Sequence, residues 1–235
     1  MQGVAVHIGS QLISLDPLER AFTRVGELIG ELRTAGHSIS VADLGGGLGV
    51  PYDPGQPLPP SPADYGAMVK RVTQGWNARL VFEPGRLIMG NAGVLLSRVI
   101  RVKPGATDPF VIVDAAMNDL MRPALYDARH RIEAVRPSGK QRTVNVVGPV
   151  CETGDTFATG RHMDDVVAGD LVVFRTAGAY AAAMASTYNS RPLTPEVLVD
   201  GDRWAVVRPR IDVDRLIAMD DAPVWLAGCA DAPNG

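Results

Sequence analysis

A few short stretches hold the side chains that can do chemistry. HIGSQ places His7 and Ser10 on either side of Gly9. A lone histidine at a strand end is most often structural. Here the backbone at Gly9 and the Ser10 hydroxyl can bind an anion, and the imidazole can stack on a flat ring. ADLGGGLG sets Gly45, Gly46 and Gly47 in a row. Bare backbone N–H groups can crowd toward a phosphate in such a loop, which serves equally as a tight turn. No Gly-Lys-Ser/Thr follows, so the run is not a Walker loop. FEPGR puts Glu83 just before Arg86. A carboxylate there can hold a protonated ring nitrogen, and a guanidinium can grip a carboxylate or phosphate through paired bonds. Alone, the two read first as an ion pair capping a turn.

GPVCETGD holds Cys151, Glu152 and Asp155. Cys151 has no partner at metal spacing, so it is not a zinc ligand. Gly148, Pro149 and Gly154 mark an exposed loop, and the acidic neighbours disfavour a thiolate. A proton donor suits that setting better than a nucleophile. NDLMRPALYDARH holds Arg122 and Tyr126, and TAGAYAAAMASTYNSRP holds Tyr180 after Gly178. Both also read as core edges with a polar tip.

Strands and helices must carry these stretches. Val4, Val6 and Ile8 alternate as a strand does. Asp16 reads as an N-cap, Pro17 as the first helical residue and Glu19 as the end of a capping box. Leu18, Ala21, Phe22, Val25, Leu28, Ile29 and Leu32 then form one apolar stripe that ends at Gly36. A second strand spans Ile39 to Leu44. Ser61 and Pro62 open a second helix carrying Tyr65, Met68, Val69, Val72 and Trp76. A third strand spans Arg79 to Phe82. Strand and helix alternate as in a parallel sheet, and each strand ends in a polar or glycine-rich tip. In a β/α barrel those tips carry the function.

Beyond about residue 90 the pattern turns to β. Gly93 to Lys103, Phe110 to Asp114, Arg131 to Val135, Thr143 to Val147 and Asp170 to Arg175 read as strands. Val197 to Val199 and Trp204 to Val207 flank the hairpin signal Asp200-Gly201. The fold class expected is α/β plus all-β: a partial, late-strand β/α barrel over 1–90, then a β-barrel or sandwich-like domain over 91–235. A full barrel takes roughly 250 residues. The early strands are therefore expected to be absent, and the open strand edges to behave poorly as a lone monomer.

The chain has 235 residues, 46% of them apolar, with a formal net charge of -3. That balance excludes a broad nucleic-acid footprint. No apolar run reaches membrane-span length, and the start lacks a signal-peptide pattern. Cys151 and Cys229 cannot make a disulfide framework, so a reducing, cytoplasmic setting is expected.

Taken in order, HIGSQ, DLGGGLGVPY, EPGR, NDLMRPALY, GPVCETGD and the GAY to YNSRP segment resemble the C-terminal part of the diaminopimelate decarboxylase family. These are pyridoxal-phosphate enzymes with an alanine-racemase-like fold. The later motifs favour that family over ornithine or arginine relatives.

The resemblance implies a role for each residue. His7 stacks on the pyridine ring. Ser10, Gly45, Gly46, Gly47 and Tyr180 hold the cofactor phosphate, and Glu83 pairs with the pyridinium nitrogen. Arg86, Arg122 and Tyr126 bind substrate carboxylates. Cys151 and Glu152 come from the partner subunit of a homodimer with shared active sites. There Glu152 also faces the substrate, and Cys151 delivers the proton after CO2 leaves. The implied reaction is decarboxylation of meso-2,6-diaminopimelate to L-lysine. The family's Schiff-base lysine has no counterpart, because Lys70, Lys103 and Lys140 lie outside any matching motif. The chain is thus expected to be inactive alone and to need a separate N-terminal half. The alternatives are a decarboxylase of another basic amino acid and a non-catalytic dimerisation or binding fragment. Thr176 stands where relatives often carry aspartate.

Overall fold

In a computed structural model, residues 1–223 and 225 are described; Cys229 lies outside them. The chain begins as β1 (Gly3–Ala5), α1 (Asp16–Thr34), β2 (Val41–Asp43), α2 (Pro62–Val72) and β3 (Arg79–Val81). The three strands are parallel, in the order β1-β2-β3. Leu18, Phe22, Val25 and Ile29 of α1 and Met68 and Val69 of α2 pack with Ala42 and Leu44 in one core. Burying each large side chain of this kind contributes ~1.5–3 kcal/mol. Arg71 on α2 also grips Glu19 on α1 through paired bonds of 2.6 and 2.8 Å.

The helix starts differ from the expectation in one case. Asp16 is the first residue of α1, and Leu15 occupies the cap position without a side-chain bond. Asp16 and Glu19 therefore form no capping box; they only place acidic charge in the first turn, where the helix dipole favours it. Ser61 does cap α2, in a reciprocal box with Asp64. Trp76 lies beyond the end of α2, yet it is buried against α1. Arg33, in the last turn of α1, donates to the Trp76 carbonyl at 2.7 Å and to the carbonyls of Ile39 and Asn77. That one guanidinium levels the lead-ins to β2 and β3.

A short helix, α3 (Gly85–Met89), and a single 3-10 turn lead to the second sheet. Its strands are β4 (Leu95–Lys103), β5 (Phe110–Val113), β6 (Ile132–Ala134), β7 (Gln141–Val147), β8 (Thr156–Asp164) and β9 (Leu171–Phe174), with α4 (Arg122–Tyr126) between β5 and β6. The order is β6-β9-β4-β5-β7-β8, antiparallel except for β5 with β7. Val99, Val111, Val113, Leu120, Val144, Phe157, Val172 and Phe174 fill its core. β8 was not expected from the sequence. Gly160 interrupts it with φ +55°, and the register with β7 shifts twice, which hides the alternation.

Asp200 and Gly201 do turn a hairpin, β10 (Glu196–Asp200) with β11 (Arg203–Arg208), which forms a sheet of its own. Val197, Leu198, Val199, Trp204, Val206 and Val207 are all exposed on it. A last helix, α5 (Val213–Ile217), follows. Among the described residues, β1 and β3 present unpaired outer edges.

Two glycines on α1 offer a test. A Cβ at Gly26 would stand 2.7 Å from the buried Trp76 Nε1, whereas one at Gly30 meets nothing within 4 Å. Gly30→Ala should stabilise the chain by up to ~1 kcal/mol through helix propensity. Gly26→Ala should destabilise it by ~1–3 kcal/mol, because the indole must move. Urea denaturation of the two variants checks the opposite signs.

Candidate active site

Parallel pairing continues past the ends of the first three strands. Val6 N–H donates to the Asp43 carbonyl, Leu44 N–H to Val81 and Glu83 N–H to Gly45, each at 2.9 Å. His7, the glycine run and Glu83 are thereby set side by side at one end of the sheet. The glycines are sterically required there. A Cβ at Gly45, Gly46 or Gly47 would fall 2.5, 2.2 or 2.4 Å from the carbonyl oxygens of Val6, Glu83 and Gly9. Gly45 and Gly47 also sit at φ +64° and +99°, where glycine alone is unstrained. The same Gly45 position lies 3.2 Å from His7 Nδ1, so the imidazole borders the bare loop. The Gly46 and Gly47 N–H groups take no partner among the described residues. A backbone cradle of this kind fits a phosphate, and the flanking His7 and Glu83 fit a flat, nitrogen-bearing ring.

HIGSQ is zipped to this loop. Leu12 N–H donates to Gly47 and Gly49 N–H to Leu12, at 2.8 and 3.0 Å. Gln11 reads both backbone groups of Val50: its amide donates to the carbonyl at 2.6 Å and accepts from the N–H at 3.2 Å. Ser10 then faces Arg86, which donates to its hydroxyl at 2.9 Å.

Arg86 also reaches the second sheet's side of the site. It donates to the Tyr52 hydroxyl and lies over the Tyr180 ring, 4.8 Å from its centroid. Tyr180 is delivered by a close glycine contact. Gly178 lies so near Met89 that a Cβ would come within 1.9 Å of that carbonyl, and Gly178 N–H donates to Gly90 at 3.1 Å. Thr176, at φ +57°, fastens the same turn by donating to Asn91 Oδ1 at 2.9 Å.

Tyr52 is buried, and two guanidiniums meet its ring. Arg86 lies 5.5 Å from the centroid and Arg122 4.4 Å. Arg122 opens α4, whose last residue is the exposed Tyr126. Burial, and then the charge of Arg86, lower the Arg122 pKa. His130, also buried, contacts Arg122 Nη1 through Nε2 at 3.3 Å. Its Nδ1 lies 2.9 Å from the Arg175 carbonyl, which can only accept. The hydrogen therefore sits on Nδ1, and Nε2 offers Arg122 a lone pair. Burial, with the nearby arginines adding to it, lowers the His130 pKa to about 4. Arg161 completes the clamp, donating to Asp53 at 2.8 Å and to the His130 carbonyl at 3.1 Å.

His7, Ser10, Gly45, Gly46, Gly47, Glu83, Arg86, Tyr180 and Arg122 are thus brought together. Cys151 and Glu152 are not: both are exposed on a loop after β7, and among the described residues neither hydrogen-bonds to that set. Asp155 builds that loop. It is buried and accepts the N–H groups of Met117 and Val150 at 2.7 and 2.8 Å. Desolvation still raises its pKa above the usual value. Sequence reasoning gave no role to Tyr52, His130, Gln11 or Arg161. Tyr52 and His130 do lie inside the stretches GGGLGVPY and YDARH.

No lysine stands at the tips of β1, β2 or β3. Lys103 ends β4, and Lys140 is exposed just before β7. Lys70, exposed on α2, lines a mainly apolar cavity of about 610 Å3 that reaches Gly45 and Gly46.

Two outcomes follow from these contacts. An exposed imidazole titrates near ~6.5, so between that pH and about 4 the unfolded chain holds a proton that folded His130 does not. His130 then contributes stability in full above pH ~6.5, and roughly 3 kcal/mol of it is lost as the pH falls toward 4. The difference in unfolding free energy between wild type and His130→Gln, measured from pH 7 down to pH 4, should shrink by that order. In the acid loop, Asp155→Ala should speed amide exchange at Met117 and Val150 by ~10-fold or more, each having lost a charge-assisted bond.

Residues 15–178 match the family model described as pyridoxal-dependent decarboxylase, C-terminal sheet domain. A diaminopimelate decarboxylase of Zymomonas mobilis is 56% identical over 226 residues, covering 96% of this chain and 54% of that protein. One from Neisseria meningitidis serogroup A is 46% identical, covering 93% of this chain and 53% of that protein. The crystal structure of diaminopimelate decarboxylase from M. jannaschii in co-complex with L-lysine superposes with a TM-score of 0.92 at 34% identity, covering 96% of this chain and 53% of that one. The corresponding Helicobacter pylori structure complexed with L-lysine gives 0.87 at 37% identity, covering 93% and 54%. The chain spans about half the length of the curated relatives it matches. From the match over residues 15–178 and the two sheets that carry it, the chain belongs to the pyridoxal-dependent decarboxylase family.

Proposed function

We propose that this chain is part of a diaminopimelate decarboxylase, which converts meso-2,6-diaminopimelate and a proton to L-lysine and CO2. In this reading residues 1–90 are the late strands of a cofactor-binding barrel and residues 91–235 the β-rich domain. The observation that carries it is the convergence of His7, the glycine loop, Glu83, Arg86 and Tyr180 on one bare backbone cradle.

Bound pyridoxal phosphate supplies the conjugated ring that takes up the electron pair left when CO2 departs. Gly45, Gly46, Gly47, Ser10 and Tyr180 would hold its phosphate. His7 would hold the ring, and Glu83 would accept the hydrogen of its nitrogen. Arg86, Arg122 and Tyr126 receive substrate carboxylates. Cys151 and Glu152, exposed on their own subunit, project into the site of a second copy. There Glu152 faces the substrate, and the Cys151 thiol hydrogen goes to the carbon that lost CO2. No helix among the described residues is long and apolar enough to cross a membrane, and we place the enzyme in the cytoplasm.

The anchoring lysine is assigned to a further segment, as the relatives' greater length allows. Mixing this chain with the N-terminal half of the Zymomonas relative, pyridoxal phosphate and meso-2,6-diaminopimelate should restore CO2 release. Borohydride reduction should then label a lysine of the added half. CO2 release by this chain alone, or a label on Lys70, would contradict the assignment. Preference for ornithine over diaminopimelate would overturn the substrate.

A further inference from the structure

Arg86 sits on α3 and Arg122 on α4, and neither is paired with a carboxylate among the described residues. Two unneutralised guanidiniums that share one ring need something neutral to hold them. Tyr52 and His130 are that material. The Tyr52 hydroxyl accepts from Arg86, and its ring faces both cations. His130 Nε2 accepts from Arg122, and the His130 ring packs edge-on to Tyr52 at 5.1 Å. The backbones are locked as well: Arg131 N–H donates to the Tyr52 carbonyl at 3.0 Å, and Arg161 joins Asp53 to His130. Acceptors without charge fix the guanidiniums yet leave their positive charge for a ligand. A carboxylate in either place would have spent it.

We propose that Tyr52 and His130 are positioning residues that hold the Arg86 and Arg122 guanidiniums on one ring, so that the pair selects a ligand with two anionic ends over one with a single end. This rests on the reading of Arg86 and Arg122 as the anion grip. Tyr52→Phe keeps the ring and deletes one acceptor. His130→Leu keeps bulk and deletes the other, and His130→Gln restores both an acceptor and a donor.

The full 235-residue chain is titrated by NMR with pimelate and with hexanoate as probes, and circular dichroism checks each variant's fold. Wild type should bind pimelate the more tightly. Tyr52→Phe and His130→Leu should each weaken pimelate by ~10-fold, the scale of one charge-assisted bond, and hexanoate by much less. His130→Gln should return pimelate binding to within ~3-fold of wild type, a bond of nearly equal strength having been rebuilt. Folded variants that keep the wild-type ratio of pimelate to hexanoate would overturn the positioning role, as would equal loss of both probes. If wild type itself does not prefer pimelate, the anion grip falls first, and the inference with it. Nitrogen NMR shifts of His130 supply a check that needs no ligand. They should show the Nδ1–H tautomer with Nε2 accepting, and the opposite tautomer would overturn the role of His130.

Discussion

One aromatic ring, Tyr52, is where the two halves of the structure meet. Arg86 arrives from α3, just past β3, and Arg122 from α4, and both guanidiniums are packed on it. Each guanidinium is carried by a short helix, α3 after the first sheet and α4 within the second. Without the buried phenol between them, two like charges would have no reason to stay close. Tyr52 is itself held from behind by the Arg131 N–H, the His130 edge and the Arg161 clamp on Asp53. Each tie is modest, and together they replace many rotamers with one geometry.

The glycine loop solves a complementary problem. Backbone oxygens of Val6, Glu83 and Gly9 approach where side chains would otherwise stand. Only a chain without Cβ atoms passes between them. The gain is a stretch of free N–H groups beside an imidazole and a carboxylate, which a charged side chain could imitate only less rigidly. Cationic grip and backbone cradle meet at Arg86, which touches Ser10, Tyr52 and Tyr180.

The residues that meet at the strand tips were legible in the sequence by their types: a glycine run, a histidine at a turn, a carboxylate ahead of an arginine. The parallel order followed from strand and helix periodicity. Other features were hidden for physical reasons. Asp16 looked like a cap, but Leu15 takes that position and the helix starts without a side-chain bond. β8 carries no legible strand pattern because Gly160 breaks its alternation. Tyr52, His130 and Gln11 act by accepting from, or clamping, groups far away in the chain. No local pattern announces such a role, although each lay within a stretch already marked for other residues. The exposed apolar side chains of β10 and β11 were visible as a hairpin, but their exposure on both faces appears only in three dimensions.

The central claim is that the three strand tips form a cofactor cradle, completed by a lysine from elsewhere. A crystal structure of this chain assembled with the N-terminal half of the Zymomonas relative and pyridoxal phosphate tests it most directly. The phosphate should lie against the Gly46 and Gly47 N–H groups and Ser10, with His7 on one face of the ring and Glu83 at its nitrogen. Phosphate density anywhere else, or a ring turned so that Glu83 faces carbon, would contradict it.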